Sequence, residues 1–170
     1  MNARAIIRRL DQYPAMLAPL VLSLPPEDFR WKPEPEHWSI LEICCHLLDE
    51  EKEDFRPRLR STLEDAAREW PALDLDQVAQ KRSYNTRDLR QTLEQFAVER
   101  AASITWLHTV EAADFSTAYQ HPKFGPIYAG DLLASWAAHD ALHMRQIARR
   151  LHGLAARDAG SFKIAYAGEW

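Results

Sequence analysis

The sequence predicts an all-α protein built as a four-helix bundle, and three observations point there. Apolar residues recur at three- and four-residue intervals over four separate stretches of the 170-residue chain, the period of helices with one buried face. Glycine is scarce, at 5, and most of the 10 prolines fall in the first third and in connections, which argues against many short strands joined by tight turns. The four stretches are each about 20 residues long, the proportions of a bundle. The length suits one domain, residues 1–170, with the bundle over about 5–152 and a tail over 154–170.

Residues 3–22 place Ile6, Ile7, Leu10, Tyr13, Leu17, Leu20 and Val21 at helical spacing. Pro14 should kink or break this helix, because an interior proline removes a hydrogen bond and crowds the preceding turn. Pro19 is a second irregularity. Residues 23–38 read as a connection, punctuated by Pro25-Pro26 and anchored by Trp31 and Trp38. Residues 39–60 give the clearest helix. Ser39 is its N-cap, Glu42 completes a capping box, and Trp38 with Ile43 suits a hydrophobic staple. Pro57 should kink its last turns. Residues 61–85, with Trp70-Pro71 and Asp74-Leu75-Asp76, read as a long connection with room for a short helix. Residues 87–111 form a third helix capped by Thr86. Leu89, Leu93, Phe96, Ala97, Arg100, Ile104, Leu107 and His108 trace its face. Residues 112–127 read as a loop, and residues 129–152 as the fourth helix, ended by Gly153. Tyr166 and Trp170 in the tail are candidates to fold back on the body or to meet a partner.

Composition narrows the function. Net charge is −4 without a Lys/Arg-rich block, so the basic footprint of a nucleic-acid binder is missing. Arg145, Arg149 and Arg150 fall at the predicted end of the last helix, where cations favour the helix C-terminus. No apolar run of about 18 residues suggests a membrane span, and no signal peptide is evident. The adjacent pair Cys44-Cys45 is poorly placed to bridge and builds no disulfide framework, which suits a reducing cytoplasm. The two are more simply small buried residues than nucleophiles. The six tryptophans suit a deep core, a pocket wall or an oligomer interface.

The chemistry points to histidines. His139 and His143 stand four apart on the fourth helix, so both imidazoles share one face. The HExxH glutamate of a zincin is absent, since Asp140 and Ala141 follow His139. His46, inside the second helix, is the best candidate for a third ligand. Three neutral imidazoles suit zinc, nickel, copper or iron and leave coordination positions for water or substrate, the form of a catalytic zinc site. The stripe below His46 carries Asp49, Glu50 and Glu53. It reads either as a face running out to solvent or as groups that orient an imidazole or line a polar pocket. Gln146 flanks the histidine stripe, so Asp49, Glu50 and Gln146 are candidates for supporting or proton-handling roles. His108 and His121 read as surface residues.

The segment Trp38-Ser39-Ile40-Leu41-Glu42-Ile43-Cys44-Cys45-His46-Leu47 resembles the WSxxExxxHL signature of the DinB-like, YfiT-like superfamily. His139-Asp140-Ala141-Leu142-His143-Met144-Arg145-Gln146-Ile147 is similar to that family's last helix, with Phe124-Gly125-Pro126 ahead of it. The resemblance spans roughly residues 5–152. It implies an up-down-down-up bundle, a divalent metal on His46, His139 and His143, and frequent dimers. Two positions depart from the pattern. Leu142 stands where many relatives carry another histidine, and Tyr128 stands near where many begin the last helix with threonine.

Two chemistries follow for a zinc or nickel ion held there. The metal can make a bound water nucleophilic, or bind a thiol as its thiolate. The second resembles the thiol transferases of the superfamily, which use bacillithiol, mycothiol or glutathione. The expected protein is thus a metal-dependent transferase of low-molecular-weight thiols, acting on a small-molecule substrate in detoxification or stress response, as a cytoplasmic homodimer. The alternatives are a metal-dependent hydrolase and a non-catalytic stress-response bundle whose metal is structural or absent.

Overall fold

A computed structural model describes residues 1–73 and 77–168 of the chain. The Asp74-Leu75-Asp76 stretch and Trp170 lie outside the described residues. Four long helical segments carry the fold: α1 (Ala3–Leu22), α3 (Ile40–Glu50) continued through a π turn (Glu51–Phe55) into α4 (Arg56–Glu64), α6 (Leu89–Thr109) and α7 (Ala129–Ala159). Single turns α2 (Pro26–Phe29) and α5 (Val78–Lys81) sit in the connections.

Two core clusters give the helix directions. One joins Tyr13, Leu17 and Val21 of α1 to Ile40–Leu48 of α3, Leu89–Phe96 of α6 and Ile147 of α7. The other joins Ala3–Leu10 of α1 to Leu59 of α4, Ile104 and Leu107 of α6 and Leu132–Trp136 of α7. The C-terminal half of α1 therefore meets the starts of α3 and α6 and the later part of α7. That is the up-down-down-up order. The two middle helices run the same way, so the chain from Asp65 to Asp88 must travel the length of the bundle. A 20-residue helix spans about 30 Å, which accounts for the long connection.

Local chemistry explains most element boundaries. The Ser39 hydroxyl accepts from Glu42 N at 3.1 Å, and Ser39 N donates to Glu42 Oε2 at 2.8 Å, the expected capping box. Pro57 falls where the helix changes register rather than in a regular stretch. The π turn precedes it, and the proline sits in the first turn of α4 with the backbone helical on both sides, so the irregularity a proline demands is taken up by the π turn. Asp88, not Thr86, caps α6, with Gln91 N donating to Asp88 Oδ1 at 2.7 Å. Thr86 closes a 3₁₀ turn instead. The predicted 112–127 loop contains an antiparallel hairpin, β1 (Ala118–His121) with β2 (Gly125–Tyr128), whose turn places Gly125 at φ 74°. Its Tyr119 is buried and stacks on Trp70 with ring centroids 4.2 Å apart. Next to it, Thr117 O and Phe115 O accept from Ala129 N and Gly130 N, so α7 starts without a Ser or Thr cap.

Gly153 does not end the last helix, which continues to Ala159. A Cβ at Gly153 would lie 3.0 Å from the Trp31 ring, so glycine is there for close packing. The extension is tied back by Arg157 Nη2, which donates to Asp28 at 2.7 Å. Tyr166, in the tail, is fully exposed and does not fold back.

Helix α1 runs unbroken through Pro14 and Pro19. Pro14 leaves the Leu10 carbonyl without its helical donor, and the buried Arg100 guanidinium replaces it, Nη1 donating at 2.9 Å. Arg100 also donates to Glu51 Oε2 at 2.9 Å and to both Asp140 oxygens at 2.7 and 3.0 Å. Trp136 Nε1 donates to the same Glu51 oxygen at 3.1 Å. One cation thus ties together α1, the π turn, α6 and α7. Burial lifts the Asp140 carboxyl above its ordinary range, outweighing the downward pull of the Arg100 bonds.

Candidate metal centre

The knot around Arg100 fixes the rotation of α7, because Asp140 is the residue after His139. His139 and His143 project from one face of α7, and the buried His46 projects from α3 toward them. His46 Nε2 lies 3.3 Å from His139 Nε2, which lies 3.0 Å from His143 Nε2. These are the His, Cys, Asp or Glu side chains among the described residues that converge as a metal-holding group, with all ligand atoms within 4.8 Å of one another.

The donor set fits a divalent cation. Zinc–nitrogen bonds of 2.0–2.1 Å in a tetrahedral site put neighbouring nitrogens about 3.3 Å apart, close to both spacings. Burial pushes His46 and His139 down to about 3 and lowers His143 as well, so the imidazoles are neutral at physiological pH. Neutral imidazole is the metal-binding form. Gln146 Oε1 lies 2.9 Å from His143 Nδ1. An amide oxygen only accepts, so the proton sits on Nδ1 and Nε2 presents its lone pair to the centre.

The other expected supports are placed differently. Glu50 Oε1 is 3.8 Å from His46 Nδ1, on the ring edge away from the cluster. Burial and a bond to Asp54 raise its carboxyl to about 8. Among the described residues Asp49 makes no hydrogen bond or ion pair to a histidine. It accepts from Arg82 Nη1 at 2.6 Å and from the Tyr84 hydroxyl at 2.5 Å. Glu53 is clamped by both Arg82 nitrogens at 2.7 and 2.8 Å. The acidic stripe below His46 is therefore covered at Asp49 and Glu50 and reaches solvent only at Glu53, whose side chain is 40% exposed. The 77–86 part of the long connection covers it. The result is a polar cavity of about 240 Å³ lined by His46, Asp49, Glu50, Glu53, Arg82 and Tyr84 among others.

On the α7 side the histidines border a second, more open cavity of about 680 Å³, lined by His139, Leu142, His143, Arg145, Gln146 and Arg149. The arginines do not serve a helix end, since α7 continues ten residues past Arg149 to Ala159. Arg150 points elsewhere and donates to the Trp38 carbonyl at 2.6 Å.

Two aromatic walls escaped the sequence reading. Trp38 lies against His46 (centroids 4.7 Å) and parallel to His143 at 6.5 Å. Phe55 lies against His139 at 5.0 Å and stacks on Trp136 at 5.7 Å. Trp38 stood beside the helix cap as an anchor, and its position eight residues before His46 was the available signal. Cys44 and Cys45 are buried and unbridged. Burial raises both thiols, Cys45 to about 11, so neither is a ready nucleophile. His108 and His121 lie away from the cluster, His108 largely exposed. Among the described residues no helix is long and apolar enough to cross a membrane.

Fold and site together define a class: a helical bundle with a three-histidine cluster fit for a divalent metal. The chain belongs to the DinB superfamily, whose family-wide sequence pattern matches residues 9–147. Among solved structures it is similar to YfiT from Bacillus subtilis, described as a probable metal-dependent hydrolase with an unusual four-helix bundle topology. The two chains are 16% identical, with a TM-score of 0.78 over 90% of this chain and 87% of that one. At that identity the likeness establishes the fold. No curated protein matches the chain.

Proposed function

We propose that this protein is a divalent-metal-dependent enzyme that activates a small thiol for transfer to an electrophilic substrate, with His46, His139 and His143 as the metal ligands. The observation that carries this reading is the meeting of three neutral imidazole nitrogens at 3.0 and 3.3 Å beside a cavity on the α7 side. A zinc or nickel ion bound there would stabilise the deprotonated form of a thiol or a water near neutral pH. The chain's own residues do the rest. Gln146 holds the His143 tautomer, while Trp38 and Phe55 wall two of the rings and keep water from their faces. Arg100, through Asp140, keeps α7 turned toward His46.

Thiol transfer is favoured over hydrolysis by the state of the carboxylates. Asp49 and Glu53 are committed to Arg82 and Tyr84. Glu50 sits on the far edge of the His46 ring. No carboxylate lines the α7-side cavity to take a proton from water, and a thiol, which ionises at about 8.5 unaided, needs that help far less. The hydrolytic reading is second. It is supported by the description of YfiT and by the closeness of Glu50 to His46. Detoxification or stress response, a cytoplasmic location and a homodimer belong to the same proposal, with small molecules as partners rather than nucleic acid or membrane.

The test is consumption of a panel of electrophiles by metal-loaded protein with and without thiol. Thiol-dependent turnover that disappears in a folded His143→Ala variant is expected. Turnover of an ester or amide with no thiol present would favour hydrolysis, and no turnover of either kind would leave a non-catalytic bundle.

A further inference from the structure

The two cavities that meet the histidine cluster differ in charge. The one on the α3 side is lined by Asp49, Glu50 and Glu53 against one arginine, Arg82. The one on the α7 side contains Arg145 and Arg149 and no acidic residue. Helical spacing explains how these arginines reach the site. His139, His143 and Gln146 form one row along α7, while Leu142, Arg145 and Arg149 form the adjacent row, again at steps of three and four. Both arginines therefore line the same cavity as His139 and His143, on an exposed stretch of the helix.

Among the described residues these two arginines make no ion pair, whereas Arg82, Arg100 and Arg157 are each held by carboxylates. Arg150, one residue on, is spent on the Trp38 carbonyl. Burial first, and then the neighbouring Arg149 charge, disfavour the charge on Arg150. Two like charges without a counter-ion, four residues apart on the rim of a cavity, form a ready receptor for an oxyanion, since guanidinium binds carboxylate and phosphate through paired hydrogen bonds. Leu142, 53% exposed on the same wall, offers an apolar surface between the arginines and the histidines.

We infer that the α7-side cavity selects a substrate that carries an anionic group, carboxylate or phosphate, bound by Arg145 and Arg149, with its reacting end directed at His139 and His143. The inference rests on the metal-enzyme reading for the use of the site, and it names the substrate class that reading leaves open. A neutral molecule of the same length would lose the arginine contacts.

The test uses two probes of equal length, 3-mercaptopropionate and 3-mercapto-1-propanol. Each is titrated calorimetrically onto cobalt-loaded protein and onto a cobalt-loaded Arg145→Gln/Arg149→Gln variant at low and physiological salt. Cobalt absorption is recorded in parallel to see whether sulfur reaches the metal. Both arginines are exposed and make no bond to the fold among the described residues, so the variant should melt like the parent. Loss of one charge-assisted contact predicts a ratio of dissociation constants of at least about tenfold in favour of the carboxylate. That ratio should fall toward unity in the variant and shrink with salt. A ratio near unity in the parent, a ratio unchanged in the variant, or binding of neither probe overturns the inference. The absorption separates the two readings. A preference for the carboxylate without a sulfur-to-cobalt band upholds anion selection while removing thiol activation. A band with equal affinities does the reverse.

Discussion

Replacing Arg100 by methionine removes the cation that joins four parts of the fold while keeping most of its volume. In the parent the guanidinium is 2% exposed and donates to Glu51 at 2.9 Å, to Asp140 at 2.7 and 3.0 Å, and to the Leu10 carbonyl at 2.9 Å. Arg100→Met leaves two buried carboxylates without a counter-charge and the carbonyl opened by Pro14 without a donor. Removing one partner of a buried ion pair costs about 3–5 kcal/mol, a large share of the roughly 5–15 kcal/mol that holds a domain together. At about 2–4 °C per kcal/mol for a chain of this size, melting should fall by roughly 6–20 °C.

The pH dependence has a defined sign. Burial already raises the Asp140 carboxyl in the parent against the pull of Arg100; without the guanidinium it rises further, so the folded variant takes up more protons than the parent. Its stability is then greatest at low pH and is lost as pH rises through the raised value. The gap between parent and variant should therefore be wider at pH 7.5 than at pH 5.5. Arg100 is the smallest of the causes that lower His139; its loss narrows the gap at low pH in the same sense, and the rest of the histidine titration cancels in the difference. Urea unfolding of metal-free protein at the two pH values measures the gap. A gap below about 1 kcal/mol, or one that does not change with pH, would refute the argument that this charge network is both buried and coupled.

Three further outcomes follow from the site and its supports. Gln146→Ala frees the His143 tautomer and should weaken metal affinity by about 10–100-fold; chelator competition reads it, and an unchanged affinity would remove Gln146 from the centre. In metal-free protein, His46 and His139 have folded-state values depressed to about 3, so their contribution to stability is full above the unfolded value of about 6.5 and lost as pH falls from there. Urea midpoints should drop between pH 7.5 and 5 by more than in a His46→Gln/His139→Gln variant, and equal drops would contradict the burial of the rings. Gly153→Ala gains about 1 kcal/mol of helix propensity but drives a methyl to 3.0 Å from Trp31; melting should fall, and a rise would show that the Trp31 ring gives way.

What could be read from the sequence was whatever is encoded locally. The helical period of residues 3–22, the Ser39–Glu42 capping box and the i, i+4 spacing of His139 and His143 are properties of short segments, and all reappear in the structure. The bundle followed from the same periods and segment lengths, while its up-down-down-up order came with the family motifs. Features set by distant contacts were hidden. The hairpin at 118–128 has strands of only four residues, held by Tyr119 stacking on Trp70 from elsewhere in the chain. Pro14 signalled a break because the donor that takes over the Leu10 carbonyl, Arg100, is 90 positions away. Arg100 did carry a local sign, a charged residue on the apolar stripe between Phe96 and Ile104. Gly153 read as a helix end because its reason for being small, Trp31, lies over a hundred residues earlier. The acidic stripe below His46 could be resolved only by seeing Arg82 and Tyr84 cover it.

The central claim is that His46, His139 and His143 hold one metal between them. The most direct measurement is bound metal per chain in protein purified without a histidine tag or nickel column, beside His46→Ala and His143→Ala variants checked for folding by circular dichroism. The account predicts about one divalent ion per parent chain, tetrahedral or with open positions, and near-complete loss in each variant. Folded parent protein that carries no metal and takes up none from added zinc, nickel or manganese would contradict it, as would a His46→Ala variant that keeps its ion.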